Sequence, residues 1–272
     1  MSNQKILAID LDDTLFCDDK SISQGNIDAL NELLNQGHVL AVDTGRPTHV
    51  MQKLLSGYKL FDRNNVFLLG FQGAMGLDVT QNKVIYSHYL DGSAAIKLLT
   101  YAFNAGLSTI AFEFGKMYSF RDDSNVEEYR KLSKEPIIII DNPNNLVGHN
   151  LIKIMIIDFE NTDILHQFEN KHKAEMDCFF NSMFSNVAFL EYVGIGAGKG
   201  KGLQELAKRL GISMDDTVAC GDERNDISMI SIAGIGVAVK NARDELKAVA
   251  DYITENDNNN DAVAEVINKF IL

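Results

Sequence analysis

The chain has 272 residues, of which 46% are hydrophobic and 23% charged, a composition typical of globular proteins that excludes a mainly disordered or fibrous chain. It carries 25 Lys and Arg against 38 Asp and Glu, and the resulting net charge of -13 opposes binding to nucleic-acid backbones and anionic membrane surfaces. The length suits either one large domain or a core that carries a second module.

Cysteine usage and the apolar segments predict the cellular compartment. The three cysteines, Cys17, Cys178 and Cys220, have no paired spacing, so neither a disulfide framework nor a zinc site is expected, and a reducing compartment fits best. The apolar run Ile6 to Ile9 is far shorter than that of a signal peptide. No interior apolar run approaches the roughly 20 residues of a membrane helix. We therefore expect a cytoplasmic protein.

The first part of the chain alternates short apolar strands with amphipathic helices. Strands are predicted at Lys5–Asp10, His38–Val42 and Val66–Phe71, and a helix begins after Ser23. Strands that alternate with helices at this spacing indicate βαβ units and a parallel sheet. The predicted fold class is therefore α/β.

The rhythm changes after Gly73, where the pattern becomes a mixture of helices and hairpins. The predicted elements are a helix at 93–104, a hairpin at 108–120, a short helix at 124–132, strands at 136–140 and 151–158, a helix at 163–173, and strands near 176–181 and 186–192. This order predicts an α+β domain over 82–188, inserted into a discontinuous core made of 1–81 and 189–272.

The alternating rhythm resumes in the last part of the chain. Five glycines within 194–202 predict a loop that contains Lys199. The further predicted elements are a helix at 203–210 and strands at 217–220 and 235–239. The Asn- and Asp-rich run 256–261 is interpreted as a solvated loop.

Polar clusters follow three strands of the predicted parallel sheet, namely DLDDT at 10–14, DTGR at 43–46 and GDERND at 221–226. The carboxyl ends of neighbouring parallel strands face one crevice, so these clusters can converge. Their aspartates would repel one another unless a hard cation neutralised them, and Mg²⁺ prefers such oxygen ligands. The candidate metal residues are Asp10, Asp12, Asp222 and Asp226.

Each cluster taken singly also has an ordinary structural explanation. Aspartates after a strand commonly cap a helix or form a turn, which would account for Asp222 and Asp226. Thr44-Gly45 is compatible with a plain turn, and Lys199 with a solvated loop lysine. The joint order of these segments along the chain favours a catalytic site.

That joint order resembles the motif set of the haloacid dehalogenase-like superfamily and, more narrowly, of the Cof-type phosphatases. The four matching segments are DLDDTL at 10–15, TGRP at 44–47, Lys199-Gly200, and GDERNDISM at 221–229. Further similar segments are QGA at 72–74, Leu190-Glu191, and GVAVKNA at 236–242. The resemblance spans the whole chain and implies a Rossmann-like core with helices on both faces and an α+β cap between the second and third motifs.

The resemblance also implies a role for each motif residue. Asp10 would be the nucleophile that forms an aspartyl-phosphate, and Asp12 would protonate the leaving oxygen and then activate water. The groups that would bind the phosphoryl oxygens are Thr44, Gly45, Lys199 and Asn225, and Asn225 would orient either phosphate or metal-bound water. Mg²⁺ would be held by the carboxylates of Asp10 and Asp222 and the main-chain carbonyl of Asp12, with Asp226 in support.

Three positions depart from the family pattern. Asp13 stands where the family usually has glycine, Gln72 where it usually has asparagine, and Ala262 where glycine is common. Aspartate tolerates the left-handed backbone region better than most residues other than glycine, so we expect the site to be retained at a modest cost. The departures at Gln72 and Ala262 are expected to change the local contacts of their loops.

The leading prediction is a magnesium-dependent phosphatase for small phosphomonoesters, such as sugar phosphates, pyridoxal phosphate or nucleotides. It would act as a monomer or homodimer, without a nucleic-acid or membrane partner. Two alternatives use the same aspartate: a phosphotransferase or phosphomutase that returns the phosphoryl group to a sugar, and a non-enzymatic phospho-acceptor. The large insert and the late GDxxND motif speak against the phospho-acceptor.

Overall fold

The computed structural model describes residues 4–272, which divide into two compact units. The core unit comprises residues 4–87 and 198–272, and the inserted unit runs from His88 to Ala197. The core unit is built on a largely parallel sheet and the inserted unit on a largely antiparallel one. The fold is therefore α/β with an α+β insertion, which confirms the predicted fold class.

The strands, in chain order, are β1 (Ile6–Ile9), β2 (Val39–Asp43), β3 (Val66–Gly70), β4 (Met75–Asp78), β5 (Lys83–Ser87), β6 (Ser108–Glu113), β7 (Lys116–Ser119), β8 (Ile138–Ile139), β9 (Lys153–Ile157), β10 (Phe180–Asn186), β11 (Phe189–Gly194), β12 (Thr217–Gly221), β13 (Ile235–Ala238) and β14 (Tyr252–Ile253).

The helices are α1 (Gln24–Asn35), α2 (Thr48–Leu55), α3 (Gly92–Asn104), α4 (Ser124–Ser133), α5 (Asp163–Met176), α6 (Lys199–Leu210), α7 (Ile227–Ile230), α8 (Asp244–Lys247) and α9 (Ala262–Phe270). None of them, within residues 4–272, combines the length and the apolar character needed to cross a membrane.

The core sheet has eight strands in the order β14-β13-β12-β1-β2-β3-β4-β5. The first six are parallel, and β4 and β5 extend the sheet as an antiparallel hairpin. Every residue of β1, β2 and β3 is buried, as expected for parallel strands covered on both faces. Because β1 lies between β12 and β2, the loops that follow these three strands emerge side by side.

The helix α1 illustrates how the sequence pattern positions the core. Ser23 caps its N-terminus by accepting a hydrogen bond from the backbone N–H of Asn26. Leu30, Leu33 and Leu34 recur at helical spacing and are buried in the core. This apolar face packs α1 beside α9 and against the sheet.

The inserted unit has its own hydrophobic core and a six-stranded sheet in the order β10-β11-β9-β6-β7-β8. The side chains of Ile154 and Ile156 on β9 join Leu98 and Leu99 of α3 and Phe168 of α5 in this core. The alternating residues of β9 lie on the opposite face, where Lys153 forms a buried ion pair with Glu191. The unit thus has a hydrophobic core separate from that of the parallel sheet.

The structure differs from the predicted domain boundaries on both sides of the insertion. Residues 83–87 pair with β4 and so belong to the core sheet, whereas residues 189–193 pair with β9, residue 194 pairs with β10, and all of them belong to the inserted sheet. The boundaries therefore fall at 87/88 and 197/198. Strand pairing assigns these residues to their units, and it joins segments that are distant in the sequence. The local periodicity of apolar residues does not reveal such pairing.

The glycine-rich run is another difference, because Lys199 opens the helix α6 and does not lie in a loop. A Cβ atom on Gly200 would lie 2.3 Å from the carbonyl oxygen of Ser228, and one on Gly202 would lie 2.9 Å from Cα of Gly73. These glycines therefore permit close packing of the first turn of α6.

Two predicted strands of the insert also differ in extent. The segment 136–140 contributes only Ile138–Ile139 to the sheet, and the strand expected near 176–181 begins at Phe180 because α5 continues to Met176. Helix α3 and the hairpin formed by β6 and β7 agree with the predicted elements to within about one residue.

Candidate active site

The polar clusters predicted to converge follow three adjacent strands of the core sheet. Asp10 follows β1, Thr44 follows β2, and Asp222 follows β12. Backbone hydrogen bonds extend the sheet into the site, with the N–H of Asp10 donating to Cys220 O at 2.9 Å and that of Thr44 donating to Leu69 O at 2.9 Å. Asp10 and Thr44 are buried, so both lie at fixed positions at the end of the sheet.

Lys199 joins two of the aspartates. Its Nζ lies 2.5 Å from Oδ1 of Asp10 and 2.5 Å from Oδ1 of Asp226, and its side chain is fully buried. Burial alone would lower the pKa of Lys199, but the charges of Asp10 and Asp226 outweigh it and raise the pKa above its ordinary value. The lysine is therefore a permanent cation between two carboxylates.

The third aspartate completes a compact acidic cluster, in which one oxygen each of Asp10, Asp222 and Asp226 lies within 4.8 Å of the others. Burial raises the pKa of Asp10 well above its ordinary value; Lys199 opposes the shift, while Asp226 and Asp222 add to it. Burial, followed by the charge of Asp226, raises the pKa of Asp222 to about 7. The cluster thus contains three carboxyl groups and one lysine, so Lys199 cannot balance the full negative charge of the three ionised carboxylates.

The hydrogen bonds of these carboxylates decide which could bind a metal ion. Asp226 is engaged at both oxygens, because Oδ1 faces Lys199 and Oδ2 accepts 3.0 Å hydrogen bonds from the backbone N–H groups of Asp222 and Glu223. Asp222 Oδ1 accepts a 3.0 Å hydrogen bond from the Thr14 hydroxyl. The donor set fits a hard divalent cation held by Asp10 and Asp222, with Asp226 in a supporting position.

Asp12 is held by an arginine that sequence reasoning assigned no role. Arg46 Nε donates to Asp12 Oδ2 at 2.7 Å and Nη2 donates to Oδ1 at 2.9 Å, forming a two-pronged ion pair, and Lys20 Nζ lies 3.3 Å from Oδ1. Burial would raise the pKa of Asp12, but Arg46 and, less strongly, Lys20 lower it below its ordinary value. The position of this arginine in the TGRP segment was the sequence signal that could have identified it.

Asp13 adopts the left-handed backbone conformation that the departure from glycine suggested, with φ 55° and ψ 14°. The side-chain amide of Asn241 donates to the Asp13 carbonyl oxygen at 2.7 Å. Asn241 lies in the GVAVKNA segment, so that motif supports the loop after β1.

Thr44, Gly45 and Asn225 meet around Gln72. Thr44 Oγ1 accepts a hydrogen bond from the Arg46 N–H at 3.3 Å, and Asn225 Nδ2 donates to Gln72 Oε1 at 3.1 Å. A Cβ atom on Gly45 would lie 2.6 Å from Gln72 Nε2, so the absence of a side chain there lets the glutamine amide approach. The structure therefore brings these predicted phosphate-binding residues together.

Asp43, the last residue of β2, is a buried acid of the DTGR cluster to which the sequence analysis gave no role. Its side chain is fully buried, and neither oxygen has a hydrogen-bond partner within residues 4–272. Burial raises the pKa of Asp43 well above its ordinary value, although Lys199 opposes the shift. Its position at the end of a central strand, directly before Thr44, was the signal that could have found it.

The segment 256–261, interpreted as a solvated loop, contains one buried anchor. Asn258 is 3% exposed, and its Nδ2 donates to the Phe16 carbonyl oxygen at 3.1 Å and to Asp18 Oδ1 at 3.0 Å. The loop therefore fastens the segment that follows Asp10 and Asp12. A neighbouring polar cavity of about 740 Å³ is lined by Asp222, by residues of the segment that follows β1 and by residues of the segment 256–261.

Comparisons with known proteins find similar sequences that span nearly the whole chain. The profile of the haloacid dehalogenase-like hydrolases matches residues 7–267. The 5-amino-6-(5-phospho-D-ribitylamino)uracil phosphatase YcsE of Bacillus subtilis is 27% identical to this chain, covering 98% of it and 96% of the relative. The HMP-PP phosphatase of Cronobacter sakazakii is also 27% identical and covers 90% and 88%, respectively.

A solved structure shares the fold over nearly its whole length. The crystal structure of a haloacid dehalogenase-like hydrolase from Bacteroides thetaiotaomicron superimposes with a TM-score of 0.86 at 28% identity, covering 98% of this chain and 99% of that one. These matches confirm the predicted resemblance to the Cof-type phosphatases and the prediction of a phosphatase enzyme. The motif residues of this chain meet at one edge of the core sheet, and the family profile spans nearly the whole chain. The chain therefore belongs to the haloacid dehalogenase-like hydrolase family.

Proposed function

We propose that this enzyme hydrolyses small phosphomonoesters through an aspartyl-phosphate on Asp10, with Mg²⁺ as its cofactor, in the cytoplasm. The observation that carries the proposal is the placement of a buried lysine 2.5 Å from Asp10, with Asp222 and Asp226 completing an acidic cluster. A structural ion pair would need one carboxylate, and the surplus of negative charge here suits a cation and a transferring phosphoryl group.

In the first half-reaction an Asp10 carboxylate oxygen attacks phosphorus, and the bond from phosphorus to the ester oxygen breaks. Asp12 supplies the proton that the leaving oxygen takes up. In the second half-reaction water attacks phosphorus, Asp12 accepts a proton from it, and the bond between phosphorus and Asp10 breaks. Inorganic phosphate is released, and both aspartates return to their starting states.

The other residues of the site position and neutralise charge. Lys199 holds Asp10 and would neutralise the phosphoryl oxygens, while the hydroxyl of Thr44 would donate a hydrogen bond to one of them. A Mg²⁺ ion bound by Asp10 and Asp222 would supply further charge neutralisation at the phosphoryl group. Phosphoryl transfer depends mainly on such positioning and electrostatic stabilisation.

The ion pair between Arg46 and Asp12 fits one half of this cycle directly. A carboxylate held by a guanidinium is ionised, which is the form required to accept a proton from water. The acidic form required in the first half-reaction needs that ion pair to loosen, because the guanidinium favours the charged carboxylate. Substrate binding beside Arg46 would provide such a change.

The substrate class rests on the relatives and on the chemistry of the site. The two relatives named above are phosphatases for two different phosphorylated compounds. The sequence similarity to them therefore supports a small phosphorylated metabolite as the substrate but does not select one. Sugar phosphates are the first class to test, followed by pyridoxal phosphate and nucleotides.

The deciding experiment measures phosphate release from a panel of phosphomonoesters with Mg²⁺ or a chelator, using the wild type, Asp10→Asn, and the exposed control Asp28→Asn. We expect turnover that requires Mg²⁺, disappears in Asp10→Asn, and persists in Asp28→Asn. Transfer of phosphate to an added sugar without net release would instead establish a phosphotransferase. A phosphorylated Asp10 without multiple turnovers would refute hydrolysis.

A further inference from the structure

The segment 71–73, which precedes β4, has an uncommon backbone. Phe71, Gln72 and Gly73 have φ values of 56°, 59° and 74°, so two consecutive residues other than glycine lie in the left-handed region. Such strain persists only where the surrounding structure enforces it. Here the N–H of Phe71 donates to the Arg46 carbonyl oxygen at 3.0 Å and that of Gln72 donates to the Thr44 carbonyl oxygen at 3.1 Å.

This backbone places the Gln72 side chain inside the site. Gln72 is 4% exposed, and its amide lies over the bare Cα of Gly45. Its Oε1 accepts the hydrogen bond from Asn225 Nδ2 at 3.1 Å. Gln72 therefore connects the loop after β2 with the loop after β12, which contributes Asp222 and Asp226.

The same contact uses the side-chain nitrogen of Asn225 and leaves its side-chain carbonyl oxygen available. Asn225 Oδ1 is buried and has no hydrogen-bond partner within residues 4–272. A buried carbonyl oxygen requires a donor. Phosphate dianions and carboxylates offer acceptors, whereas the water that Mg²⁺ characteristically retains offers O–H donors.

We infer that Gln72 is a positioning residue for cation binding: it fixes the Asn225 amide so that Asn225 Oδ1 accepts a hydrogen bond from the hydrated Mg²⁺ ion. The inference rests on the proposed function, since it requires a divalent cation at the acidic cluster. The family resemblance already implies that Asn225 orients phosphate or metal-bound water, and the inference adds that Gln72 holds the Asn225 amide in place. Gln72 itself acts through Asn225.

The test is isothermal titration calorimetry of Mg²⁺ into the full chain, without substrate. The variants are Gln72→Met, Asn225→Leu and their combination, and the matched control is Gln52→Met. Gln52 donates from Nε2 to Asn82 Oδ1 at 3.1 Å in an exposed pair of the same kind within the core unit. Loss of an outer contact to a metal ligand shell typically weakens metal binding by about 10- to 100-fold.

We expect each single site variant to weaken Mg²⁺ binding about tenfold, the double variant to be no weaker than Asn225→Leu, and the control to match the wild type. Equal affinity in Gln72→Met and the wild type would overturn the inference. So would additive losses in the double variant, because Gln72 would then act independently of Asn225.

A second variant separates loss of the contact from loss of the fold. Gln72→Asn suits the left-handed backbone and keeps an amide oxygen, and asparagine is the residue that the family usually has at this position, so it should still accept the hydrogen bond from Asn225. It should bind Mg²⁺ more tightly than Gln72→Met, which has no amide oxygen, and equally weak binding by the two variants would overturn the inference. If the wild type hydrolyses phosphomonoesters with Mg²⁺ and Gln72→Met binds Mg²⁺ normally, only this inference fails. If the wild type does not bind Mg²⁺, the cofactor proposal fails with it.

Discussion

The two units each contain a buried lysine paired with carboxylates, and the two arrangements differ in their charge balance. In the core unit, Lys199 lies 2.5 Å from Asp10 and from Asp226. In the inserted unit, Lys153 Nζ on β9 lies 3.2 Å from Glu191 Oε2 on the neighbouring strand β11. Both lysines are almost completely buried, so burial does not distinguish them.

The surroundings of the two ion pairs do distinguish them. Glu191 also accepts a 2.8 Å hydrogen bond from Ser185, and Lys153 Nζ lies 4.8 Å from the ring centroid of Phe112, so protein groups surround that pair. Within residues 4–272, metal-binding spacing among acidic, histidine and cysteine side chains occurs at Asp10, Asp222 and Asp226 alone. A surplus of carboxylates therefore marks the candidate active site, whereas a locally completed ion pair marks a structural contact.

The largest effect is expected for Lys199→Met. Losing the cation that neutralises Asp10 and would contact the phosphoryl oxygens should lower kcat by about 10³-fold, as for the removal of other groups that stabilise transition-state charge. Steady-state phosphate release measures this loss, and the exposed Lys208→Met on the same helix is the control. Activity within about tenfold of the wild type would show that Lys199 is a structural cation comparable to Lys153.

Lys153→Met should instead act on stability. It leaves Glu191 buried without its charge partner, which typically costs about 3–5 kcal/mol in the free energy of unfolding. Replacing both residues, as in Lys153→Met with Glu191→Leu, should recover most of that loss because no buried charge remains. Urea unfolding followed by circular dichroism, with hydrogen exchange of β9 and β11 amides, measures both. A cost below about 1 kcal/mol for the single variant would contradict a structural role.

The pKa of Asp222, raised to about 7, predicts a pH dependence of Mg²⁺ binding. The carboxylate must lose its proton to bind the cation, so affinity should fall as the pH decreases through about 7, by up to about tenfold per unit. In the metal-free protein, the raised folded-state pKa means that stability falls as the pH rises from about 4 to about 7. Calorimetry and thermal unfolding at pH 6 and 8 check both, and affinity that does not change with pH would contradict the raised pKa.

The smallest effect is expected for Asp43→Asn. Burial raises the pKa of Asp43 well above its ordinary value and so favours the neutral form, and an amide has nearly the same shape as a neutral carboxyl group. The variant should retain kcat within about threefold and lose no more than about 1 kcal/mol of stability. A much larger loss in either measurement would show that Asp43 is ionised and contributes a further negative charge opposite Lys199.

The α/β class and the motif residues were predictable because they depend on local patterns. Short apolar runs that end in acidic clusters identify strands of a parallel sheet, and helical periodicity identifies α1 and α3. The β4–β5 hairpin was missed, since its strands are defined by pairing with β3 rather than by alternation of their own. The placement of Lys199 at the start of α6 was missed because glycine signals a loop as readily as close packing.

The sequence by itself determined the family, the order of its motifs and the residues from which the site is built. The tertiary structure decided the partners of those residues: Lys199 with Asp10, Arg46 with Asp12, and Gln72 with Asn225. These pairs are separated by 189, 34 and 153 positions in the chain. The pairing of strands and the packing of α6 and the loops at the sheet edge bring these positions within hydrogen-bond distance, and burial and neighbouring charges then shift the pKa values of Asp10, Asp12 and Lys199.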